Sequence, residues 1–169
     1  PRYPDQIEAA GPDVAVVLHT DLAAALSGAS VNPLGPGLLS SDVATDESAE
    51  SGRALRLVFT GESWGGVYVI LGVHDARPAT SVSMRLKLPD DVAGLELKLE
   101  DAETNGRSVN AIEHVTGPEV DGWKTIRVPL AEFAGIDLSR VSKLGLWNPS
   151  DRSGTFVACE LIVAEIGFD

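Results

Sequence analysis

The sequence predicts an all-β fold, a two-sheet β-sandwich of the jelly-roll type. Short segments rich in Val, Ile and Leu recur along the chain, with turn-forming residues between them. Within many of them apolar and polar residues alternate, which is the period of a strand with one face in water. At 169 residues the chain is long enough for one well-buried domain and short for two. We therefore expect a single domain over residues 1–169.

Nine strands are predicted from these patterns. Met84, Leu86 and Leu88 alternate with polar neighbours, for example, and the pattern stops at Pro89, where a turn begins. The predicted strands are Val14–His19, Ala54–Thr60, Gly66–Val73, Ser81–Leu88, Leu95–Glu100, Val109–His114, Trp123–Val128, Lys143–Trp147 and Phe156–Phe168. Nine short strands in one domain are typical of two sheets packed face to face.

Two stretches are predicted to be irregular. Residues 27–52 are rich in Gly, Ser, Pro and Asp without a period, so we expect a long loop there. The segment before it, residues 21–26, is compatible with one or two helical turns. In the last strand, Val163 and Ile166 are out of phase, and one extra residue near Ala164-Glu165 would restore the alternation. This predicts a β-bulge at that point.

The charge of the chain narrows the choice of ligand. The net charge is −12, whereas nucleic-acid binding needs Lys and Arg gathered on one surface. Acidic polysaccharides are disfavoured for the same reason, and a neutral ligand is easier to accommodate. No apolar run approaches the roughly 18 residues that span a bilayer. We expect neither a nucleic acid nor a membrane as partner.

Familiar enzyme motifs are missing from the sequence. The three histidines lie far apart and lack zinc-site spacing: His19, His74 and His114. No nucleophile elbow, phosphate loop or dinucleotide fingerprint is present. Glu96 and Glu100 share a strand face, but two acids in an acidic stretch are weak evidence for a glycosidase pair. The single cysteine, Cys159, sits in an alternating apolar run and is interpreted as packing.

The aromatic residues point to a binding surface. Leu144 and Leu146 on one strand face send Trp147 to the other, and Tyr68 also points away from the core side. Trp64 lies in a glycine-flanked turn, and a sugar ring could stack on such residues. The accompanying hydrogen-bonding candidates are His74, Arg85, Glu100, Asn148 and Asp151.

Other roles for the aromatic residues remain open. Trp64 and Tyr68 could instead cap the end of the sandwich or cover the sheet, and Trp147 could be covered by the long loop. Trp123, at the start of a strand, is interpreted as a packing residue.

Four segments together resemble a known group of proteins. They are ALRLVFTGESWGGVYVILG, GWKTIRVPLAEF, IDLSRVSKLGLWNP and the closing LIVAEIGFD. They are similar to the galactose-binding-like jelly-roll modules attached to bacterial glycoside hydrolases, and resemble carbohydrate-binding modules of families 4 and 11. The resemblance covers roughly residues 54–169.

The resemblance implies a non-catalytic module that binds a neutral polysaccharide, a β-glucan by preference. It also implies a covalently linked catalytic domain and an extracellular location, although the opening PRYPDQ does not look like a signal peptide. A structural calcium is a further implication, with Asp21, the turn at Glu50 and Asp169 as candidate ligands. Two alternatives stay open: a structural sandwich that binds no sugar, and a small jelly-roll hydrolase or lyase.

Overall fold

The computed structural model describes Leu18 and residues 30–169. In this part of the chain eleven strands form two antiparallel sheets. The strands are β1 (Ser30–Leu34), β2 (Leu38–Thr45), β3 (Arg53–Thr60), β4 (Gly66–His74), β5 (Ser81–Lys87), β6 (Gly94–Asp101), β7 (Gly106–Asn110), β8 (Val115–Val120), β9 (Trp123–Pro129), β10 (Val141–Ser150) and β11 (Ala158–Phe168). Only short 3-10 turns interrupt them here, and none of the described helical segments could cross a membrane. The predicted two-sheet sandwich is confirmed.

The two sheets enclose one apolar core. The five-stranded sheet has the order β1-β4-β10-β6-β7, and the six-stranded sheet has the order β2-β3-β11-β5-β9-β8. Alternate residues of each strand enter the core, such as Val67 and Val69 on β4 and Leu144 and Leu146 on β10. Each sheet therefore keeps an outer face that the core does not use.

The predicted long loop at 27–52 is wrong over much of its length. Its described part contains β1 and β2, which lie at the edges of the two sheets. Each pairs with only one neighbour, and β2 is largely accessible on both faces, so its sequence need not alternate strictly. Within residues 30–52, only the connections at 35–37 and 46–52 are irregular.

The predicted strand Val109–His114 is also corrected. β7 ends at Asn110, whose side-chain oxygen accepts a hydrogen bond from the Ile112 amide at 3.1 Å and starts a 3-10 turn. The next strand, β8, is exposed throughout and contains Gly117 and Pro118. Proline is tolerated there because β8 is an edge strand. Of the predicted first strand, Val14–His19, only Leu18 lies within the described residues, where it forms a bridge with Ile166.

The predicted bulge in the last strand is confirmed. The register of β11 against β5 shifts between Ala164 and Gly167. Glu165 has a φ of 58°, a left-handed value that is uncommon outside glycine. In the regular part of the same strand Cys159 packs partly buried against the core, and burial raises the pKa of its thiol to about 11.

Candidate functional site

Strand register brings Tyr68 and Trp147 to the outer face of the five-stranded sheet. β4 and β10 are antiparallel neighbours, with Tyr68 opposite Gly145 and Trp147 opposite Gly66. The two ring centroids lie 4.9 Å apart, and the ring planes make an angle of 75°. Because Leu146 enters the core, the next residue faces away from it. The shared outer face predicted from strand parity is confirmed.

Two glycines make room for the Trp147 indole against the sheet. A Cβ atom at Gly145 would lie 2.1 Å from the indole Nε1. One at Gly66 would lie 2.1 Å from the Leu146 carbonyl oxygen and 2.8 Å from the indole Cε3. Real Cβ atoms do not approach other atoms so closely. The ring therefore lies directly over these two backbone positions, and a side chain at Gly145 would displace it.

Trp64 covers the Trp147 ring from the solvent side. The turn between β3 and β4 carries Trp64, whose ring centroid lies 6.3 Å from that of Trp147 at an interplanar angle of 34°. The Trp64 ring also packs on Gly35, where a Cβ atom would come within 2.7 Å of the ring. Trp64 is 50% exposed, whereas Trp147 is only 8% exposed. The expected exposure of Trp147 is thus wrong, and Trp64 is the ring that faces water.

A network of charged groups surrounds Tyr68. Glu100 Oε2 accepts a long hydrogen bond from the Tyr68 hydroxyl at 3.5 Å, and Lys98 Nζ donates to the same hydroxyl at 3.2 Å. Lys143 Nζ lies 3.3 Å from Glu100 Oε1. Both ammonium groups also lie near the Tyr68 ring, at 5.8 and 5.3 Å from its centroid. The phenol is therefore held in one orientation.

The charges on this face balance. Among the described residues of the central strands, Lys98 and Lys143 contribute two positive charges, and Glu96 and Glu100 contribute two negative ones. Burial disfavours the charged form of Lys98, but the hydrogen bond to Tyr68 and the charge of Glu100 prevail and raise its pKa. An electrically balanced face in a chain of net charge −12 suits a neutral ligand better than an ionic one.

Asn148 anchors the turn that carries Trp64. Its Oδ1 accepts a hydrogen bond from the Gly65 backbone N–H at 2.9 Å. Its backbone N–H donates to the Gly65 carbonyl at 3.0 Å. Its Nδ2 donates to Glu96 Oε2 at 3.4 Å. A φ of 55° allows Asn148 to make these contacts. Asn148 thus lies at the predicted site, but much of its hydrogen-bonding capacity is already used by contacts within the protein.

The structure separates Arg85 from this group, which corrects the sequence prediction. Arg85 lies on β5 of the six-stranded sheet, whereas Trp147 lies on β10 of the other sheet. Its guanidinium pairs with Glu165, donates to the Ser48 carbonyl at 2.9 Å and stacks on Trp123 at 4.8 Å. Strand parity alone does not say to which sheet a strand belongs, which is the reason for the error.

His74 is also absent from the group around Tyr68. It has the parity of Tyr68 in the sequence, but Gly72 has a φ of 71° and the register of β4 against β10 shifts at this point. The His74 ring therefore packs against Phe168, at 5.1 Å between centroids, and burial lowers its pKa.

Asp151 serves the turn that follows β10. Its Oδ1 accepts hydrogen bonds from the amides of Ser153 and Thr155 at 2.8 and 3.1 Å. The hydrogen bond from the Ser153 hydroxyl to the same oxygen is the largest of the causes that lower the pKa of Asp151. Asp151 therefore stabilises the turn after β10, and its role as a sugar contact stays a prediction.

The candidate calcium ligands do not form a metal site within the described residues. Asp169 pairs with Arg127 at 3.0 Å, and the Glu50 amide donates to Glu165 Oε1 at 2.5 Å. No cluster of three or more His, Cys, Asp or Glu residues suited to a metal is found in the part of the chain that the structure describes. Asp21 lies outside that part, so the calcium site stays a prediction.

Comparison with solved structures places this sandwich among known folds. The family 30 carbohydrate-binding module of a cellulosomal cellulase of Clostridium thermocellum matches with a TM-score of 0.57 at 17% identity, over 77% of this chain and 84% of that one. A β-1,2-glucanase from Parabacteroides distasonis matches with a TM-score of 0.63 at 13% identity, over 83% of this chain but 22% of that one. The family 11 module of another cellulosomal cellulase of Clostridium thermocellum gives 0.50 at 15% identity, over 82% and 85%.

These matches establish a class by fold. No known family model matches the sequence, and no curated protein matches it. The chain nevertheless has the β-sandwich fold of jelly-roll carbohydrate-binding modules, as the resemblance implied. At these low identities the likeness concerns the fold, and the ligand has to be argued from the site.

Sequence reasoning missed the two lysines of the site. Lys98 lies within the predicted strand Leu95–Glu100, and Lys143 is the first residue of the predicted strand Lys143–Trp147, but neither pattern marks them as site residues. Their approach to Tyr68 depends on the pairing of β10 with both β4 and β6. The signal that could have found them is the alternation of Glu96, Lys98 and Glu100 on one strand face.

Proposed function

We propose that this chain is a non-catalytic carbohydrate-binding module that binds a neutral polysaccharide on the outer face of its five-stranded sheet. The observation that carries the proposal is the half-exposed Trp64 ring, seated on Trp147 beside a balanced set of polar groups. Sugar rings stack their C–H faces on aromatic side chains, while their hydroxyls need fixed donors and acceptors. Tyr68, Lys98 and Glu100 supply such groups next to the stack.

A β-glucan is the preferred ligand of this proposal. The similar structures include a module of a cellulase and a β-1,2-glucanase. Both of these enzymes act on polymers of glucose. A glucan has no charge, in agreement with the cancelled charges of the face. An open surface with few exposed aromatic rings supports weak binding to an extended chain rather than tight capture of a small molecule.

Affinity electrophoresis tests the proposal. Wild-type protein is run through gels containing laminarin, lichenan, xylan or agarose, beside Trp64→Ala and the control Val120→Ala, which removes an exposed apolar side chain on the other sheet. We expect retardation of the wild-type and control proteins by a glucan and its loss in Trp64→Ala. Absence of retardation on every neutral polymer would overturn the proposal in favour of a structural sandwich.

The wider context of the chain belongs to the same proposal. The resemblance to modules of glycoside hydrolases supports a covalently linked catalytic domain that the module directs to its polymer, and an extracellular location. Release of reducing ends from the same polymers by the purified chain would contradict a non-catalytic role. We expect none, because the acids nearest the stack, Glu96 and Glu100, are engaged by Ser108 and by the two lysines.

The calcium ion remains a prediction that depends on Asp21. A calcium site would bring oxygen ligands together and raise the melting temperature when the ion is added. Thermal unfolding in chelator and in excess calcium measures this directly. An unchanged melting temperature would remove calcium from the proposal without affecting the glycan-binding face.

A further inference from the structure

A recess adjoins the aromatic face, which is the outer surface formed by Trp64, Tyr68 and Trp147. It has a volume of about 400 Å³ and lies between the ends of β6, β7 and β10 and the turn that follows β10. This falls in the range of about 300–1,000 Å³ that is usual for small-ligand pockets. Its lining includes Glu96, Ser108, Asn110, Asn148, Ser150 and Phe156.

The lining combines one aromatic ring with fixed polar groups. Phe156 is 37% exposed and contributes the aromatic part of the wall, which Leu95 and Val109 also line. Glu96 Oε1 accepts from the Ser108 hydroxyl at 2.7 Å, and Glu96 Oε2 accepts from Asn148 Nδ2 at 3.4 Å. An ionised carboxylate can accept about four hydrogen bonds, so it retains capacity for hydroxyl donors. The Ser150 hydroxyl lies against Gly94, where a Cβ atom would be 2.5 Å from the hydroxyl oxygen.

The walls of the recess are held rigidly. Asn110 Oδ1 accepts from the amides of Leu95 and Ile112, both at 3.1 Å, and its Nδ2 donates to the Ala93 carbonyl at 3.2 Å. The turn carrying Phe156 is tied to β10 by a bridge with Ser150. A recess with fixed walls loses little entropy when a ligand enters it.

The recess and the aromatic face are continuous. Glu96 lies opposite Trp147 in the pairing of β10 with β6, and it lines the recess as well. Asn148 joins the Glu96 carboxylate to Gly65, the residue after Trp64. A chain stacked on Trp64 that extends toward β7 therefore meets the recess without leaving the surface.

We propose that the recess beside Phe156 is an additional sugar subsite, which takes a glycosyl unit of the same chain beyond the unit stacked on Trp64. This rests on the proposed function of the aromatic face. The single carboxylate of Glu96 receives hydroxyl donors and repels a uronic acid, so the subsite selects a neutral unit. The recess thereby lengthens the stretch of polymer that the protein recognises.

Calorimetric titration with a length series of gluco-oligosaccharides, from trisaccharide to hexasaccharide, tests the subsite. For wild-type protein we expect affinity to rise with length. Phe156→Ala lowers affinity for the longest members by about two- to tenfold, because one stacking contact is lost, and leaves the shortest unchanged. Phe156→Leu keeps apolar bulk without the flat ring and shows the same selective loss, which separates stacking from folding defects.

The controls separate this inference from the function on which it rests. Trp64→Ala lowers affinity for every length, and Val120→Ala for none. Equal affinity of wild-type protein and Phe156→Ala at every length, or an equal loss at every length, would overturn the subsite while leaving the aromatic face in place. Failure of the wild-type protein to bind any member would overturn the proposed function itself.

Discussion

The outer faces of the two sheets each carry a tryptophan and two cationic side chains, but the arrangements differ. On the six-stranded sheet both cations lie over the Trp123 ring, whereas on the five-stranded sheet they lie over Tyr68, the neighbour of Trp147. Trp123, on the six-stranded sheet, lies under the turn at 46–52 and is 1% exposed. Arg85 and Lys87 stand 4.8 and 4.6 Å from its ring. Its Nε1 donates to the Ser48 hydroxyl at 2.6 Å. The chain itself satisfies every part of this arrangement.

Trp147, on the five-stranded sheet, is completed differently. Its indole Nε1 is buried and has no hydrogen-bond partner among the described residues. Its cover is Trp64, a second aromatic ring that remains half-exposed, rather than a hydrogen-bonded turn. The comparison teaches that the same residue types can form either a packing cluster or a platform for a ligand. What separates them is whether the chain caps the ring and pairs its polar atom.

Removing Trp123 is expected to have the largest effect on stability. Trp123→Ala leaves a cavity under the 46–52 turn and takes away the ring on which Arg85 and Lys87 rest. We expect the free energy of unfolding to fall by about 3–5 kcal/mol in urea denaturation. The remaining folded protein should still be retarded by a glucan. A loss below about 1 kcal/mol would show that the cluster is not structural.

Filling the space under Trp147 is expected to have the next largest effect. In Gly145→Ala the new methyl group would lie 2.1 Å from the indole Nε1, so the ring must tilt away. We expect a loss of about 1–3 kcal/mol in the free energy of unfolding, together with weaker glycan retardation.

Gly106→Ala is a matched control on the same sheet. There the nearest atom to the new Cβ is Lys98 Cε at 2.5 Å, the end of a flexible side chain that can move. Equal destabilisation by the two substitutions would contradict a rigid seat for the Trp147 ring.

Low pH is expected to reduce the stability of the cluster around Trp123 by protonating Asp46. The hydrogen bond from Lys87 at 2.7 Å, followed by that from Ser48, lowers the pKa of Asp46 below its usual 3.8. A depressed folded-state pKa means that this stabilisation is present above the usual value and is lost as pH falls through the folded-state value. Asp46→Asn should therefore be less stable than wild type at about pH 6, and the difference should shrink below about pH 4.

Urea denaturation over a pH series measures this difference. A difference between wild type and Asp46→Asn that stays constant from neutral to acid pH would show that the ionised pair with Lys87 does not contribute. Glycan retardation should not depend on Asp46, because this residue touches only the six-stranded sheet side of the molecule.

Removing Trp64 is expected to have the smallest effect on stability. The ring is half-exposed, so Trp64→Ala should cost about 1 kcal/mol or less in the free energy of unfolding. The same substitution should abolish glycan retardation. A destabilisation as large as that of Trp123→Ala would make Trp64 a packing residue and would remove the contrast between the two faces.

Much of the sandwich could be predicted because its central strands alternate. Tyr68 and Trp147 were assigned to an outer face by the parity of their neighbours, and register places their rings 4.9 Å apart. The bulge at Glu165 was visible as a phase change in the last strand. Alternation is a local property that a sequence displays directly, since one face of each central strand must enter the core.

Other features escaped prediction for reasons that can be named. β1 and β2 were interpreted as loop because edge strands pair on one side and need not alternate. His74 left the predicted face because the chain at Gly72 breaks the register. Trp147 was expected to face water, but its cover comes from Trp64, on a different turn.

The sequence by itself determined the class of fold, the inner and outer sides of the central strands, and a charge that disfavours anionic ligands. The tertiary structure alone decided which outer sides belong together. It put Arg85 with Trp123 and put Lys98 and Lys143 with Tyr68. The physical reason is that side-chain alternation is encoded within a strand, whereas sheet membership is set by hydrogen bonds between strands distant in sequence.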